Sequence, residues 1–214
     1  SGSFIIGAYQ SLLDWHKDYY TNNGKISKGS KDNPLTPDGN LTTAEKKRIL
    51  LNNIYGVDID VNAVEVTKLS LLLKCMEGET AASIASQMQL FNERILPTLD
   101  SNIKDGNSLI DIDFYETALD FGDEKKIKPF NWKNGFTDIF KNNGFDVVIG
   151  NPPYRMMQPK DTDLTILQYF KHNYNVAEFK IDLFHLFFQK GVQLLKVKGL
   201  LGFIAPSSLL NNVY

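Results

Sequence analysis

The chain has 214 residues, 23 Lys and Arg against 25 Asp and Glu, a net charge of −2 and a sequence pI near 5.9. That length suffices for a sizeable core, and the charge balance argues against a strong polyanion-binding surface on this stretch by itself. No run of about 18 apolar residues proposes a membrane span, and the first residues lack the basic-then-apolar order of a secretory leader.

Apolar residues recur at helical spacing from Phe4 to Leu13, which predicts a helix. Ser1-Gly2-Ser3 in front of it leaves N–H groups at the positive end of a helix dipole, where the polar part of a ligand would fit. Without context the same tripeptide reads as a linker. Thr21 to Asn40 is rich in Gly, Asn, Ser, Lys and Pro and reads as a loop. Thr42, three residues before Glu45, suggests a capping box for a helix to about Leu51. Ile54 to Asp60 then reads as a short strand ending in an acid. Asn62 with Glu65 suggests a second capping box, for a helix from Ala63 to about Lys74.

Strand, acid, helix is the order by which doubly wound folds hold the ribose diol of a nucleotide-like cofactor, the carboxylate accepting two hydroxyl hydrogens. Asp58, at the strand end, is the candidate, with a solvated rim residue as the plain alternative. Asp60, nearer the helix, reads as a helix-start charge. Cys75 is the single cysteine, which rules out an internal disulfide and fits a reducing cytoplasm. Its apolar helical surroundings make it a core residue. His16, His172 and His185 are scattered without metal-ligand spacing.

Residues 81–96 are expected to be helical. Ile103 to Leu109 reads as a short strand and its exit turn, where Asn107 or Asp105 could contact an adenine amine or serve as a turn residue. Leu119 to Asn134 reads as a polar, exposed excursion, followed by a helix from about Phe136 to Lys141. Phe145 to Gly150 reads as a strand with Val147, Val148 and Ile149 buried. Arg155 to Asn175 is polar, with Tyr169, Phe170 and Tyr174 within it; a substrate lid and a surface loop with a short helix are both open readings. Asp182 to Lys196 is an apolar helix ended by Gly199, and Leu200 to Ala205 a buried strand. The alternation of helix and strand predicts an α/β fold with a mainly parallel sheet covered on both faces.

The Phe145–Gly150 strand runs into Asn151-Pro152-Pro153-Tyr154. Proline lacks the N–H that a ladder needs and fixes φ, so the strand ends in a stiff turn at its carboxyl end, where open α/β sheets place their sites. The turn offers the Asn151 amide oxygen, the Pro152 carbonyl and an aromatic face. A conjugated exocyclic amine is a poor nucleophile because its lone pair is delocalised. Two fixed acceptors would favour the pyramidal nitrogen and the positive charge that develops as it attacks, while Tyr154 stacks on the flat group. An ordinary strand-ending turn is the plain reading.

Three co-linear stretches carry a resemblance. Arg48-Ile49-Leu50 through Ile54-Tyr55-Gly56-Val57-Asp58-Ile59-Asp60 to Lys68-Leu69-Ser70-Leu71 is the first. Phe145 to Tyr154 is the second, and Asp182-Leu183-Phe184 through Gly199, Gly202-Phe203-Ile204 and Pro206 the third. Together they resemble the amino-methyltransferase region of combined restriction-modification enzymes, the type IIG or Eco57I-like family.

The resemblance implies a class I, Rossmann-like, S-adenosylmethionine-dependent methyltransferase fold, doubly wound and truncated at both ends. It implies methyl transfer to the N6 amine of adenine in double-stranded DNA, directly from the sulfonium, on a base extruded from the duplex. By position, Ser1 and Gly2 would sit against the methionine part of the cofactor, and Asp58 would hold the ribose. Ile59 would pack on its adenine, and Asn107, chosen over Asp105, would take the adenine amine. Asn151 and Pro152 would bind the target amine, followed in the motif by Pro153, and Tyr154 would stack on the base.

Residues 1–214 are thus expected to be one catalytic core, cut from a longer cytoplasmic bacterial enzyme whose nuclease and target-recognition domains lie elsewhere. The isolated piece should be poorly active. The same tetrapeptide also fits methylation of a protein glutamine or a ribosomal RNA guanine, and a non-catalytic scaffold is the reading from a different class.

Overall fold

The computed structural model describes residues 2–23, 33–79, 97–117, 127–177 and 181–205; Ser1 and the helix expected over 81–96 lie outside the described residues. The chain forms two compact units, residues 1–104 and 105–214.

The first unit opens with helix α1 (Ser3–Asn23), which outruns its apolar stretch by ten residues. Tyr9 is buried on it, and the phenol donates to the Lys46 carbonyl at 2.9 Å, so a polar atom in the core is paired. Helix α2 (Thr43–Asn53) is capped as expected by Thr42, whose hydroxyl accepts from the Glu45 N–H. The reciprocal half of that capping box does not form. Glu45 turns instead to Arg48 at 2.6 Å and to the Tyr20 hydroxyl at 2.7 Å, while the Thr42 N–H goes to the Pro34 carbonyl.

Strand β1 (Gly56–Asp58) leads into helix α3 (Val61–Met76). The cap of α3 is Asp60 rather than Asn62. Asp60 has extended backbone angles and its carboxylate accepts from the Asn62 N–H at 2.9 Å, whereas Asn62 is already helical and Glu65 pairs with Lys68. Strand β2 (Ile103–Asp105) pairs with β1. Buried Asn102, just before it, donates to the Leu51 and Ile54 carbonyls. Ile49, Leu50, Leu71 and Cys75 form the closed centre of this unit.

The second unit carries helices α4 (Phe114–Thr117), α5 (Trp132–Gly135) and α6 (Thr137–Lys141), then strand β3 (Phe145–Gly150). Strand β4 (Met156–Met157) and helix α7 (Leu164–Asn173) follow, then a short 3-10 turn, strand β5 (Ile181–Asp182), helix α8 (Leu183–Leu194) and strand β6 (Leu195–Phe203). β3 and β6 run parallel, Val147 opposite Leu200 and Gly150 opposite Phe203. β4 and β5 are antiparallel. The fold is α/β, and among the described residues no helix is long and apolar enough to cross a membrane.

Four expectations change in this unit. Helix α8 stops at Leu194 rather than at Gly199, because β6 starts at Leu195 and bulges at once. Lys198 takes a positive φ inside that bulge, and Lys196 reaches Asp146 on β3. The strands read as buried are covered on one side. Helix α8 lies over the face of Leu201 and Phe203, since a Cβ on Gly191 would touch both, whereas Val147 and Leu200 on the other face are 53% and 69% exposed. Residues 118–126 lie outside the described residues. The rest of that polar excursion is an aromatic corner, with Phe130 and Trp132 packed on each other and on Phe136. Tyr169, Phe170 and Tyr174 are buried core side chains, not the surface of a lid.

Candidate active site

In the second unit the site grows from the end of β3. The Ile204 N–H donates to the Gly150 carbonyl at 3.2 Å, the last link of the parallel pair. Pro152 and Pro153 follow with no N–H to extend it. Pro152 is buried, while Asn151, Pro153 and Tyr154 are exposed. Among the described residues none donates to the Asn151 amide oxygen or to the Pro152 carbonyl. Neither acceptor is taken up by a described donor.

The turn is held from outside. The Tyr154 hydroxyl donates to the Ile204 carbonyl at 2.9 Å. Its ring lies 5.9 Å from that of Phe184, tilted by 56°. Phe184 is buried at the start of α8, where Asp182 caps the helix by accepting from the Phe184 N–H. The next segment is pinned as well. The Leu183 N–H donates to the Arg155 carbonyl at 3.0 Å, and Met156 pairs with Asp182. A strand end, a helix start and a two-residue ladder therefore hold the ends of this turn, and the Ile204 carbonyl orients the Tyr154 ring. Sequence reasoning missed the Ile204 carbonyl and Phe184, because no local pattern signals partners that far along the chain.

Asn107 is a turn residue. Its side-chain oxygen accepts from the Leu109 N–H at 3.0 Å and its own N–H donates to the Lys128 carbonyl at 2.6 Å. A carbonyl oxygen has two lone pairs, so this turn leaves it able to accept again. Gly106 before it has φ of +155°, and a Cβ there would lie 2.7 Å from Phe130, which accounts for glycine at that position. Asp105 closes β2 and is exposed.

In the first unit the turn between β1 and α3 stacks two carboxylate-to-amide bonds. Asp58 accepts from the Asp60 N–H at 3.0 Å, and Asp60 from the Asn62 N–H. Asp60 is the helix-start charge that the sequence suggests. Ile59, at the crest of the turn, is 51% exposed, an apolar face beside a carboxylate. Gly2 has φ of +79°, and a Cβ there would lie 2.4 Å from the Thr67 hydroxyl on α3. Close approach to Thr67 is thus a structural reason for glycine, independent of any ligand. The structure brings Gly2, Asp58 and Ile59 into one unit, and Asn107 with Asn151 to Tyr154 into the other. Among the described residues no group of three or more His, Cys, Asp or Glu is placed to hold a metal ion.

Comparison with known proteins adds a family. The model of the Eco57I restriction-modification methylase matches residues 52–214. The chain is 38% identical over 213 residues to the type II restriction enzyme and methyltransferase RM.Eco57I of Escherichia coli, an alignment covering 97% of this chain and 19% of the relative. It is 42% identical to RM.MjaORFECS2P of Methanocaldococcus jannaschii, provisionally named a type II restriction enzyme and methyltransferase, over 97% of this chain and 25% of the relative. The chain spans a quarter or less of the length of these relatives.

Proposed function

Because the chain belongs to the Eco57I restriction-modification methylase family, we propose that it transfers a methyl group from S-adenosylmethionine to the N6 amine of adenine in double-stranded DNA. One observation carries the reading. Asn151 and Pro152 present two acceptors, unused by any described residue, beside an exposed ring that the Ile204 carbonyl anchors. Those acceptors take the two hydrogens of the amine and favour the localised lone pair and the positive charge that builds on nitrogen. Tyr154 takes the face of the base. The amine is out of reach inside a duplex, so the nucleotide is extruded before it meets the turn.

The same reading assigns residues to the cofactor. The Asp58 carboxylate would hold the ribose hydroxyls, exposed Ile59 would pack on the purine, and Asn107 would accept from its amine. Ser1 and Gly2 would lie toward the methionine part. S-adenosylmethionine, when bound, supplies an electrophilic methyl group on a sulfonium. We propose further that residues 1–214 serve as a doubly wound, Rossmann-like methyltransferase core within a longer cytoplasmic enzyme that also carries nuclease and target-recognition parts. The names of the two relatives, which join a restriction enzyme to a methyltransferase, support the pairing of a methyltransferase core with a nuclease part.

The test is product identification. The intact protein is incubated with methyl-labelled cofactor and duplex DNA, and the nucleosides are separated. Label in N6-methyladenine, lost in Asn151→Ala, is the expected result. Label in a protein glutamine or an RNA guanine instead would move the reading to another planar amine. No transfer and no cofactor binding would leave a scaffold.

A further inference from the structure

The loop from Asn107 to Asp113 lies in the second unit, and groups from other segments pair much of its backbone. The Trp132 indole N–H donates to the Ser108 carbonyl at 3.0 Å, and the Phe130 N–H to the Ile110 carbonyl at 2.8 Å. Two tyrosines add to these bonds. The Tyr174 hydroxyl donates to the Leu109 carbonyl at 2.6 Å. The Tyr169 hydroxyl accepts from the Asp111 N–H at 3.0 Å and donates to the Asp113 carboxylate at 2.8 Å. Both side chains are nearly closed off, at 8% and 3% exposure. The Lys190 ammonium of α8 stands 5.6 Å above the Tyr174 ring, a cation over a π face that steadies it.

These bonds bear on Asn107. The Leu109 N–H is what fixes the Asn107 amide oxygen, and Tyr174 fixes the carbonyl of that same leucine. Tyr169 lies on α7 and Tyr174 caps its end, and α7 belongs to the segment that follows the Asn-Pro-Pro-Tyr turn. Burial raises both phenols and keeps them neutral, so each retains its donor.

We propose that Tyr169 and Tyr174 are positioning residues that hold the Asn107 loop, so that recognition of the cofactor's purine amine depends on the segment following the target-amine turn. The inference rests on the reading of Asn107 given under the proposed function. It assigns the two hydroxyls a role in ligand discrimination beyond filling the core, which phenylalanine would fill as well.

The experiment uses the intact protein and two probes, S-adenosylhomocysteine and its hypoxanthine counterpart S-inosylhomocysteine. The second replaces the amine by a carbonyl, which faces an acceptor with an acceptor. Calorimetric titration is expected to give the wild type a preference of roughly tenfold or more for the adenine form, the scale of one unmade buried hydrogen bond. Tyr169→Phe and Tyr174→Phe should cut that preference to about threefold or less, with KM for DNA unchanged. General loosening of the fold would weaken both probes alike and leave their ratio intact.

A folded variant with the wild-type ratio overturns the inference, and so does a wild type that binds both probes equally. A wild type that binds neither overturns the cofactor reading itself, a separate outcome. Tyr174→Phe leaves a buried carbonyl unpaired. If it does not fold, Tyr169→Phe, which spares that carbonyl, decides the matter alone.

Discussion

The Tyr154 hydroxyl and the Ile204 carbonyl meet at 2.9 Å, fifty residues apart in the chain. An exposed aromatic ring is thereby oriented by the end of a parallel strand rather than by its own turn. Tyr154→Phe keeps the ring and loses the tether. Its KM for DNA should rise roughly threefold to tenfold, the scale of one net hydrogen bond. Tyr154→Ala loses the stacking face as well, a further cost of about 1–3 kcal/mol per base. Steady-state kinetics on both variants checks the order. A Tyr154→Phe enzyme with wild-type constants would make the tether idle.

Asn151 is exposed and accepts from no described residue, so removing its amide should hurt turnover and spare stability. Asn151→Ala is expected to lower kcat by about 10²–10³, as for other lost stabilisers of developing charge. The unfolding free energy should stay within about 0.5 kcal/mol of wild type, as for surface changes that break no structural bond. Single-turnover methylation beside a urea melt separates the two. A large stability loss with unchanged turnover would return the turn to its plain structural reading.

The Asn-Pro-Pro-Tyr turn, the β1 turn and the apolar α8 helix were all legible in the sequence, because each rests on a local rule: proline ends a ladder, an acid sits between a strand and a helix, periodicity marks a buried face. What failed was non-local. Asn62 and Asp60 both satisfy capping chemistry, and only the extended backbone at Asp60 decides between them. Tyr169, Phe170 and Tyr174 have the spacing of a helix face, but spacing does not say whether that face meets solvent or a core. Phe130 and Trp132 sit in a polar stretch without a period, and their partner Phe136 lies beyond a break. Val147 and Leu200 sit in apolar runs that would be buried on both faces, yet α8 covers the opposite face.

Acid should destabilise the first unit in two stages. The His16 Nδ1 is buried without a hydrogen-bond partner among the described residues. Burial first, then the Arg48 charge, lowers its pKa below 6.5. The unfolded chain therefore takes up the proton before the folded one does. The contribution is whole above pH 6.5 and is lost as pH falls through the lowered folded value. Glu45 follows the same sign lower down. The Arg48 hydrogen bond holds its carboxyl below 4.5, so its contribution is whole above that pH and is lost through the lowered folded value. Both residues are only partly buried, and solvent screening should hold each stage to about 1 kcal/mol or less. Urea melts across pH should show His16→Phe removing the upper stage and Glu45→Gln the lower. A single unbroken slope in both variants would assign the acid response elsewhere.

Asp58 and Asp60 are two residues apart and chemically identical, yet the geometry gives them different work. Asp60 caps α3 through the Asn62 N–H. Asp60→Ala should therefore cost about 1 kcal/mol of stability, the usual price of a lost cap, and leave cofactor affinity near wild type. Asp58 accepts from the Asp60 N–H within the turn at 3.0 Å, and its proposed task is the ribose diol. Asp58→Ala should weaken binding of S-adenosylmethionine roughly 10- to 100-fold, the scale of charge-assisted hydrogen bonds. Asp58→Asn, which keeps one acceptor oxygen for the turn and loses the charge, should fall between. Titration calorimetry beside thermal melts resolves the pattern. If Asp58→Ala binds the cofactor as the wild type does while Asp60→Ala does not, the diol contact belongs to Asp60. If neither variant changes binding, the turn between β1 and α3 is a helix start and nothing more.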